Sequence, residues 1–442
     1  MSQAAIQFNV KRTLLANATW LFGDKIIRMI LGLSVSVIMA RILGPEELGK
    51  WNYAESFFGM FLVLTTLGFD AIVVRELVKD NSKSGELLGT AIGLKFVGTL
   101  LAITASYIGI SVLRPDDSTI RIINLILATA SIFQLFDVID YWFRSQMQSK
   151  YTVIAKNIAF IISCLIKIIL LLNNVSIVFV AICAHIEFIV GSLLLLYFYK
   201  RNKQNPFGWR VNIRKAKFLL ANSWPLVLSS SAIFVQARID QIMIGEMLGD
   251  AAVGQYSVAL RLIEVLGFIP VVISTACAPI VTKSKLANEA EYKRTLSSVY
   301  RIMFILFLVT ALPIYFLSNH IVILLYGNDY SQAGALLSLF AIRLFFTNFG
   351  VAKSLFITNE SLFKYTLITS LVGAGSNIIL NYLLIPIMGV TGSLVATILS
   401  FSISVFIIDL FFKHRIRNNL LLMLSSIITF WKFKIDEMKV GD

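Results

Sequence analysis

Apolar runs of about 20 residues recur along nearly the whole chain, and that is the length an α-helix needs to cross the ~30 Å hydrocarbon core of a bilayer. Twelve such runs can be read, at residues 12–43, 50–78, 87–113, 120–144, 151–172, 177–199, 218–248, 253–282, 295–317, 333–358, 365–385 and 390–412. The composition agrees: of 442 residues 57% are hydrophobic and only 14% charged, against roughly 25% charged in soluble domains. The mean hydropathy is +0.80. The expected fold class is therefore an all-α integral membrane protein.

The chain also repeats itself. The segment beginning at Leu14, Leu15, Ala16 and Asn17 aligns without a gap on Leu219, Leu220, Ala221 and Asn222, and the same offset places Leu43 and Gly44 on Leu248 and Gly249, Gly49 on Gly254, and Ala54 on Ala259. Each copy reads as a polar entry, a long apolar helix, a Gly-containing turn and a second helix. Two halves of six helices follow, at 1–199 and 218–412, joined by a basic linker at 200–217 and followed by a basic tail at 413–442. Such halves commonly face each other across a substrate path in transporters, although a duplicated structural bundle would show the same pattern.

Lys and Arg gather in one set of connections: Lys11, Arg12, Lys79, Lys83, Lys150, the linker, Lys283, Lys285, Lys293, Arg294, Lys364, Lys413, Arg415 and Arg417. The opposite set is short and acidic or neutral. Because cytoplasmic loops carry the basic excess, both termini are expected in the cytoplasm. The net charge of +14 is then an orientation signal and a contact with anionic headgroups, and no nucleic-acid partner is implied. The first apolar run carries Asp24, Lys25 and Arg28 and continues past any plausible cleavage site, so it reads as a spanning helix and not a signal peptide. Cys164, Cys183 and Cys277 all lie in apolar segments without metal spacing. The run after residue 412 is too short to span and, with Trp431 at its end, suits an interfacial helix.

Function must come from polar groups placed where lipid penalises them, since a charge at mid-helix costs roughly 2.5–3.5 kcal/mol on insertion scales. Asp24 and Arg28, four apart, can pair on one face of the first helix, and Lys25 adds positive charge there. Arg28, Arg238 and Arg343 each lie more than two turns from a predicted helix end and are the best candidates, with Lys25, for a substrate-facing surface. Lys95, Arg301 and Lys353 can instead snorkel to the headgroups. Asp24, Asp70, Asp140, Asp240 and Glu264 are candidates for ion coupling or for structural ion pairs, Asp140 with Arg144 one turn on. A packing role suits His185 better than a functional one.

The pattern Asn17, Trp20, MARILGPEELGKWNYAESF and LGFDAIVVREL, with LLYGNDYSQA and NYLLIPIMGVTGSLVATILS later, resembles the polysaccharide exporters related to O-antigen flippases, the Wzx group of the MOP superfamily. The resemblance covers nearly the whole chain. It implies two six-helix bundles, MATE-like, around a cavity that opens alternately to each side of the inner (plasma) membrane. By resemblance the cavity would accept the headgroup of an undecaprenyl-diphosphate-linked oligosaccharide while the lipid tail stays in the bilayer. A diphosphate suits arginine, whose planar fork donates in pairs, so Lys25, Arg28, Arg238 and Arg343 fit that substrate. For the sugars, Tyr53, Asn348 and Asn377 are expected contacts. H+ or Na+ as coupling ion, membrane lipids and other polysaccharide assembly proteins are the expected partners. Alternatives are a MATE-type organic cation antiporter, which needs an acidic and aromatic cavity, and a flippase for the lipid-linked peptidoglycan precursor. A membrane glycosyltransferase or polymerase would need a larger outer loop with catalytic carboxylates. No hydrolytic, nucleotide-binding or metal motif is seen, so neither an enzyme nor a cofactor is expected.

Overall fold

In a computed structural model, which describes residues 3–433, every regular element is helical. The order is α1 Gln3–Thr66, α2 Asp70–Lys79, α3 Ser84–Leu113, α4 Ser118–Ala130, α5 Val138–Ser145, α6 Ser149–Leu172, α7 Ile177–Arg201, α8 Ile213–Leu248, α9 Asp250–Leu266, α10 Phe268–Ala287, α11 Glu289–Tyr326, α12 Ser331–Asn359, α13 Phe363–Met388, α14 Val390–Val405 and α15 His414–Ile428. Among the described residues, eleven intervals are long and apolar enough to cross a membrane. The end of the basic tail, residues 434–442, lies outside the described residues, as do the side chains of Lys11, Arg12 and Asn17.

The first interval, Phe22–Lys79, has 58 residues, which as one straight helix would measure about 87 Å at 1.5 Å per residue. It is interrupted at Gly44, whose φ of 73° and ψ of 175° are not helical, and Pro45 follows in the first turn of the next segment. Proline is tolerated there because its missing N–H would have no intrahelical partner. Gly249 in the second copy has φ 91° and ψ 173° between α8 and α9. The aligned glycines thus make the same turn, in a region of φ that side chains resist.

Four runs read as single helices are broken, one of them, residues 253–282, at Gly267 between α9 and α10. Residues 50–78 stop at Leu67 and Gly68, both with positive φ, before the short α2. Residues 120–144 become α4, a 3-10 segment Ser131–Asp137 and α5. Here Thr129 Oγ1 donates back to Leu125 O and Ser131 Oγ to Ala128 O, at 2.8 and 2.6 Å, a competition that bends helices. The carbonyls of Phe133 and Gln134 are captured by Ser192 Oγ at 2.6 Å and Lys95 Nζ at 3.1 Å. Buried irregular backbone of this kind is tolerated in a membrane only where the protein satisfies it. Residues 390–412 end as a helix at Val405 and continue as a 3-10 segment, Ile407–Phe411.

Two compact units form, residues 1–234 and 235–442. In the first, α1 packs against α3, α4 and α6, and α6 against α7. Its main apolar core joins Phe69, Val73 and Leu77 to Trp142, Phe143 and Tyr199. The linker is pinned to the start of α3: Arg210 N donates to Gly85 O at 3.2 Å, Asn212 N to Thr90 Oγ1 at 3.0 Å, and Lys215 Nζ lies 3.1 Å from Glu86 Oε2. The second unit pairs α11 with α12 and α13 with α14, around Tyr300, Phe349 and Phe356. The 15 residues of α15 reach only about 22 Å. This helix lies on α11 through Tyr300 Oη to Asn419 Oδ1 at 2.9 Å and Ser297 Oγ with Ser426 Oγ at 2.8 Å, leaving Trp431 exposed.

Candidate functional site

The first unit carries a charged network within its apolar intervals, built where α1, α6 and α7 meet the 3-10 segment. From α1, Arg28 donates through Nε to Asp24 Oδ1 at 3.0 Å and through Nη2 to the Lys156 carbonyl at 2.7 Å, and its Nη1 stands 3.5 Å from Glu187 Oε1. Its guanidinium also lies 4.7 Å from the Phe160 ring centre. Lys156 Nζ pairs with Asp137 at 2.9 Å. A cavity of about 240 Å³ opens among Arg28, Gln134, Asp137, Lys156, Glu187 and Ser192. The spacing read from sequence correctly joins Asp24 to Arg28. What it leaves out are the partners on other helices, above all Glu187 and Lys156. Lys25, next to Asp24 in sequence, occupies an exposed position.

Further along this unit, Arg144 Nη2 binds Asp140 at 2.5 Å, as the i,i+4 spacing indicates, and its Nη1 lies 3.7 Å from Asp70. Asp70 thereby ties α2 to α5, while Arg75 turns to Glu76 at 3.3 Å. Lys95 does not snorkel: it is buried, held by Gln134 O and 5.6 Å from the Tyr141 ring centre. His185 Nε2 meets Thr129 Oγ1 at 3.2 Å, which fits packing.

In the second unit Asp240 is buried, 2% exposed, and it receives three neutral donors: Tyr256 Oη at 2.6 Å, Thr397 Oγ1 at 2.5 Å and Asn381 Nδ2 at 2.7 Å. Asn381 Nδ2 also approaches Asn377 Oδ1 at 3.2 Å. Among the described residues no basic side chain pairs with Asp240. The Asn381 carbonyl oxygen and the Ser393 hydroxyl beside this set have no hydrogen-bond partner. The i,i+4 pair Asn377 and Asn381 within an apolar helix is a legible signal for this cluster, because two amides at that spacing share a face.

Arg238 lies 3.4 Å from Glu264, which Arg261 also approaches at 4.0 Å. Arg343 stacks its guanidinium over Phe340 and Phe401, 5.8 and 5.3 Å from the ring centres. Lys353 does not snorkel either: it is buried, with Nζ donating to Val405 O at 2.6 Å and Asp409 Oδ1 at 2.7 Å, and Tyr365 Oη bonds the same oxygen. This ion pair holds the broken end of α14. Arg301 Nη2 reaches Thr429 Oγ1 at 3.2 Å. Tyr53, Asn348 and Asn377 are each 1% exposed or less; Tyr53 lies under Arg114 at 4.7 Å, and Asn348 donates to Met303 O at 3.2 Å.

The family model for a polysaccharide biosynthesis protein matches residues 14–285, and the MatE model matches residues 225–383. A capsular polysaccharide biosynthesis protein CapF of Staphylococcus aureus is 20% identical over 405 residues, covering 90% of this chain and 99% of that protein. The lipid II flippase MurJ of Bacillus subtilis (strain 168) is 22% identical over 430 residues, covering 85% and 78%. Among solved structures, a MurJ in an inward closed conformation superposes with a TM-score of 0.71 at 17% identity, covering 96% of this chain and 94% of that one. An inward-facing multidrug resistance MATE transporter of the MOP superfamily gives 0.69 at 15%, covering 92% and 96%. With eleven apolar intervals, an all-helical fold shared with MATE and MurJ structures, and a family model spanning well over half its length, the chain is a multi-pass membrane protein that belongs to the polysaccharide biosynthesis protein family.

Proposed function

We propose that this protein is a flippase that moves an undecaprenyl-diphosphate-linked oligosaccharide, a repeat unit of O-antigen or another surface polysaccharide, from the cytoplasmic to the outer leaflet of the inner membrane by alternating access. The observation that carries the reading is the state of Arg28. It lies within an apolar interval on a cavity wall, 3.5 Å from Glu187, with 29% of its side chain exposed. A carboxylate at that distance is a weak charge-assisted partner. A diphosphate oxygen can replace it without leaving the guanidinium uncompensated. Arg238, also part-exposed and 3.4 Å from Glu264, offers the same exchange, with Lys25 and Arg343 as further cationic candidates. The names of the relatives support the substrate class, since one is a lipid II flippase and another belongs to capsular polysaccharide biosynthesis.

The break at Gly44 divides the first of the eleven intervals, which supports twelve passes, in halves at 1–199 and 218–412, and so both termini on one side; the basic connections favour the cytoplasm as that side. Outward movement of about two negative charges is favoured by an inside-negative potential, by roughly 2.3 kcal/mol per charge per 100 mV. For coupling we assign Asp240, a buried carboxylate without a basic partner among the described residues, to H+ or Na+. In this reading Asp24, Asp70, Asp140 and Glu264 serve ion pairs. The protein transports and does not catalyse a bond change.

The test is the fate of the lipid-linked repeat unit in cells lacking the chain. Its accumulation on the cytoplasmic leaflet with loss of surface polysaccharide is the expected result. Normal surface polysaccharide together with sensitivity to organic cations would overturn it in favour of an antiporter, whose substrate Asp240 would then face.

A further inference from the structure

A second opening in the first unit runs between α1 and α6. It is a groove of about 590 Å³, walled by Trp20, Ile27, Val153, Ile154, Ile158 and Ile161. Trp20, Ile27, Ile158 and Ile161 are all exposed large apolar side chains. Its polar wall groups include Asp24 and Asn157. Asp24 holds Arg28 at 3.0 Å, and Arg28 lines the 240 Å³ cavity, so one ion pair is shared between the apolar groove and the polar cavity. Asn157 is more than nine-tenths buried, 8% exposed, and its carbonyl oxygen has no partner. Its amide can present either end to a ligand, since the two differ only by a flip.

We propose that this groove seats the polyprenyl chain of the lipid-linked substrate, with the phosphate end turned toward Arg28. The proposal rests on the flippase reading and adds to it a place for the lipid, which the family resemblance leaves in bulk bilayer. A single trough lined by branched aliphatic side chains and one indole matches one methyl-branched chain better than the paired acyl chains of a phospholipid. Its volume falls in the range of about 300–1,000 Å³ found for small-molecule sites. The charge order also fits: hydrocarbon wall first, then the uncommitted amide of Asn157, then the guanidinium beyond Asp24. A tail held here keeps the diphosphate within reach of Arg28, which confers an effective concentration that bulk lipid does not.

The experiment uses the full chain reconstituted in phosphatidylcholine vesicles with a trace of a diazirine-bearing polyprenyl phosphate that carries no sugar. Photolabelling is expected on the α1 and α6 peptides. Ile158→Trp and Ile161→Trp, which fill the groove from exposed positions, should each reduce labelling about tenfold, equivalent to ~1.4 kcal/mol. Ile169→Trp, exposed on the same helix but outside the groove, should label as the parent does. Equal labelling of all variants overturns the proposal, and so does equally strong labelling of these peptides by a photoreactive phosphatidylglycerol. The two readings fail separately. If surface polysaccharide depends on the chain while labelling ignores the groove, the flippase stands and the groove falls. If labelling depends on the groove in a chain dispensable for export, the groove stands as a polyprenyl site and the flippase falls.

Discussion

Arg28 of α1 and Glu187 of α7, 159 residues apart in sequence, face each other at 3.5 Å across a cavity wall. The pair is part-exposed, and Asp24 already neutralises the guanidinium from its own helix at 3.0 Å. Glu187 is thus the more exchangeable of the two carboxylates. Replacing it by Gln should leave export within about threefold of the parent, because Arg28 keeps Asp24, whereas Arg28→Ala should lower export at least about tenfold. Arg28→Ala also leaves two carboxylates in a poorly solvated site, so the deciding variant is Arg28→Ala with Glu187→Gln. Normal membrane abundance with lost surface polysaccharide in that double variant assigns Arg28 to transport; restored export assigns it to structure.

Arg28→Lys separates charge from geometry. The guanidinium makes directed bonds to Asp24, Glu187 and the Lys156 carbonyl from one planar fork, which an ammonium on a shorter reach cannot reproduce. Partial export is expected, with a weaker apparent affinity for the lipid-linked repeat unit, measured in vesicles as the substrate concentration for half-maximal translocation.

Lys353 and Asp409 form a nearly fully buried pair, and removing one partner of such a pair costs about 3–5 kcal/mol. Lys353→Met and Asp409→Leu alone should each lower the melting temperature in detergent sharply. Together they should recover most of the loss, since neither then leaves a buried unpaired charge. A double variant as unstable as the singles would show that the Val405 carbonyl, now without its Lys353 donor, dominates.

Asp240→Asn keeps the shape of the cluster but removes its charge, and with it the group assigned to coupling. Export driven by an ion gradient should fall about tenfold or more, and the dependence on Na+ or on pH should flatten, while abundance stays normal. Retention of the full ion dependence in Asp240→Asn would move the coupling site elsewhere.

Gly44 and Gly249 combine a φ of 73° and 91° with a ψ of 175° and 173°, a region essentially confined to glycine, where a Cβ costs about 1–3 kcal/mol. Ala at either position should reduce thermal stability by that amount, and Val by more. Beyond its immediate chain neighbours and local helix backbone, neither glycine has an atom within 4 Å of an added Cβ, so the loss measures local backbone strain and should be similar at the two sites.

Much of this architecture follows from local sequence. Helices longer than a bilayer is thick, the aligned glycine turns and the Asp24–Arg28 and Asp140–Arg144 pairs are set by periodicity and by spacings of three or four residues, which a single helix enforces. Linear reading fails where distant elements compete with the helix. The run 120–144 is apolar for most of its length, yet Lys95 and Ser192 from other helices take the carbonyls of Gln134 and Phe133, so its middle relaxes to 3-10 geometry. Lys95 and Lys353 look able to snorkel because a single helix offers them no partner.

Sequence by itself determined the membrane class and the turns of the duplicated hairpin, because chain length against bilayer thickness and the backbone freedom of glycine are local properties. Only the tertiary structure decided which charges meet. Glu187 reaches Arg28, Asp409 reaches Lys353, and Asn381 with Thr397 encloses Asp240, each across a sequence separation that spacing rules cannot bridge. In a medium that penalises every unpaired charge, those long-range pairings divide these carboxylates into ion-paired ones and one, Asp240, held by neutral donors.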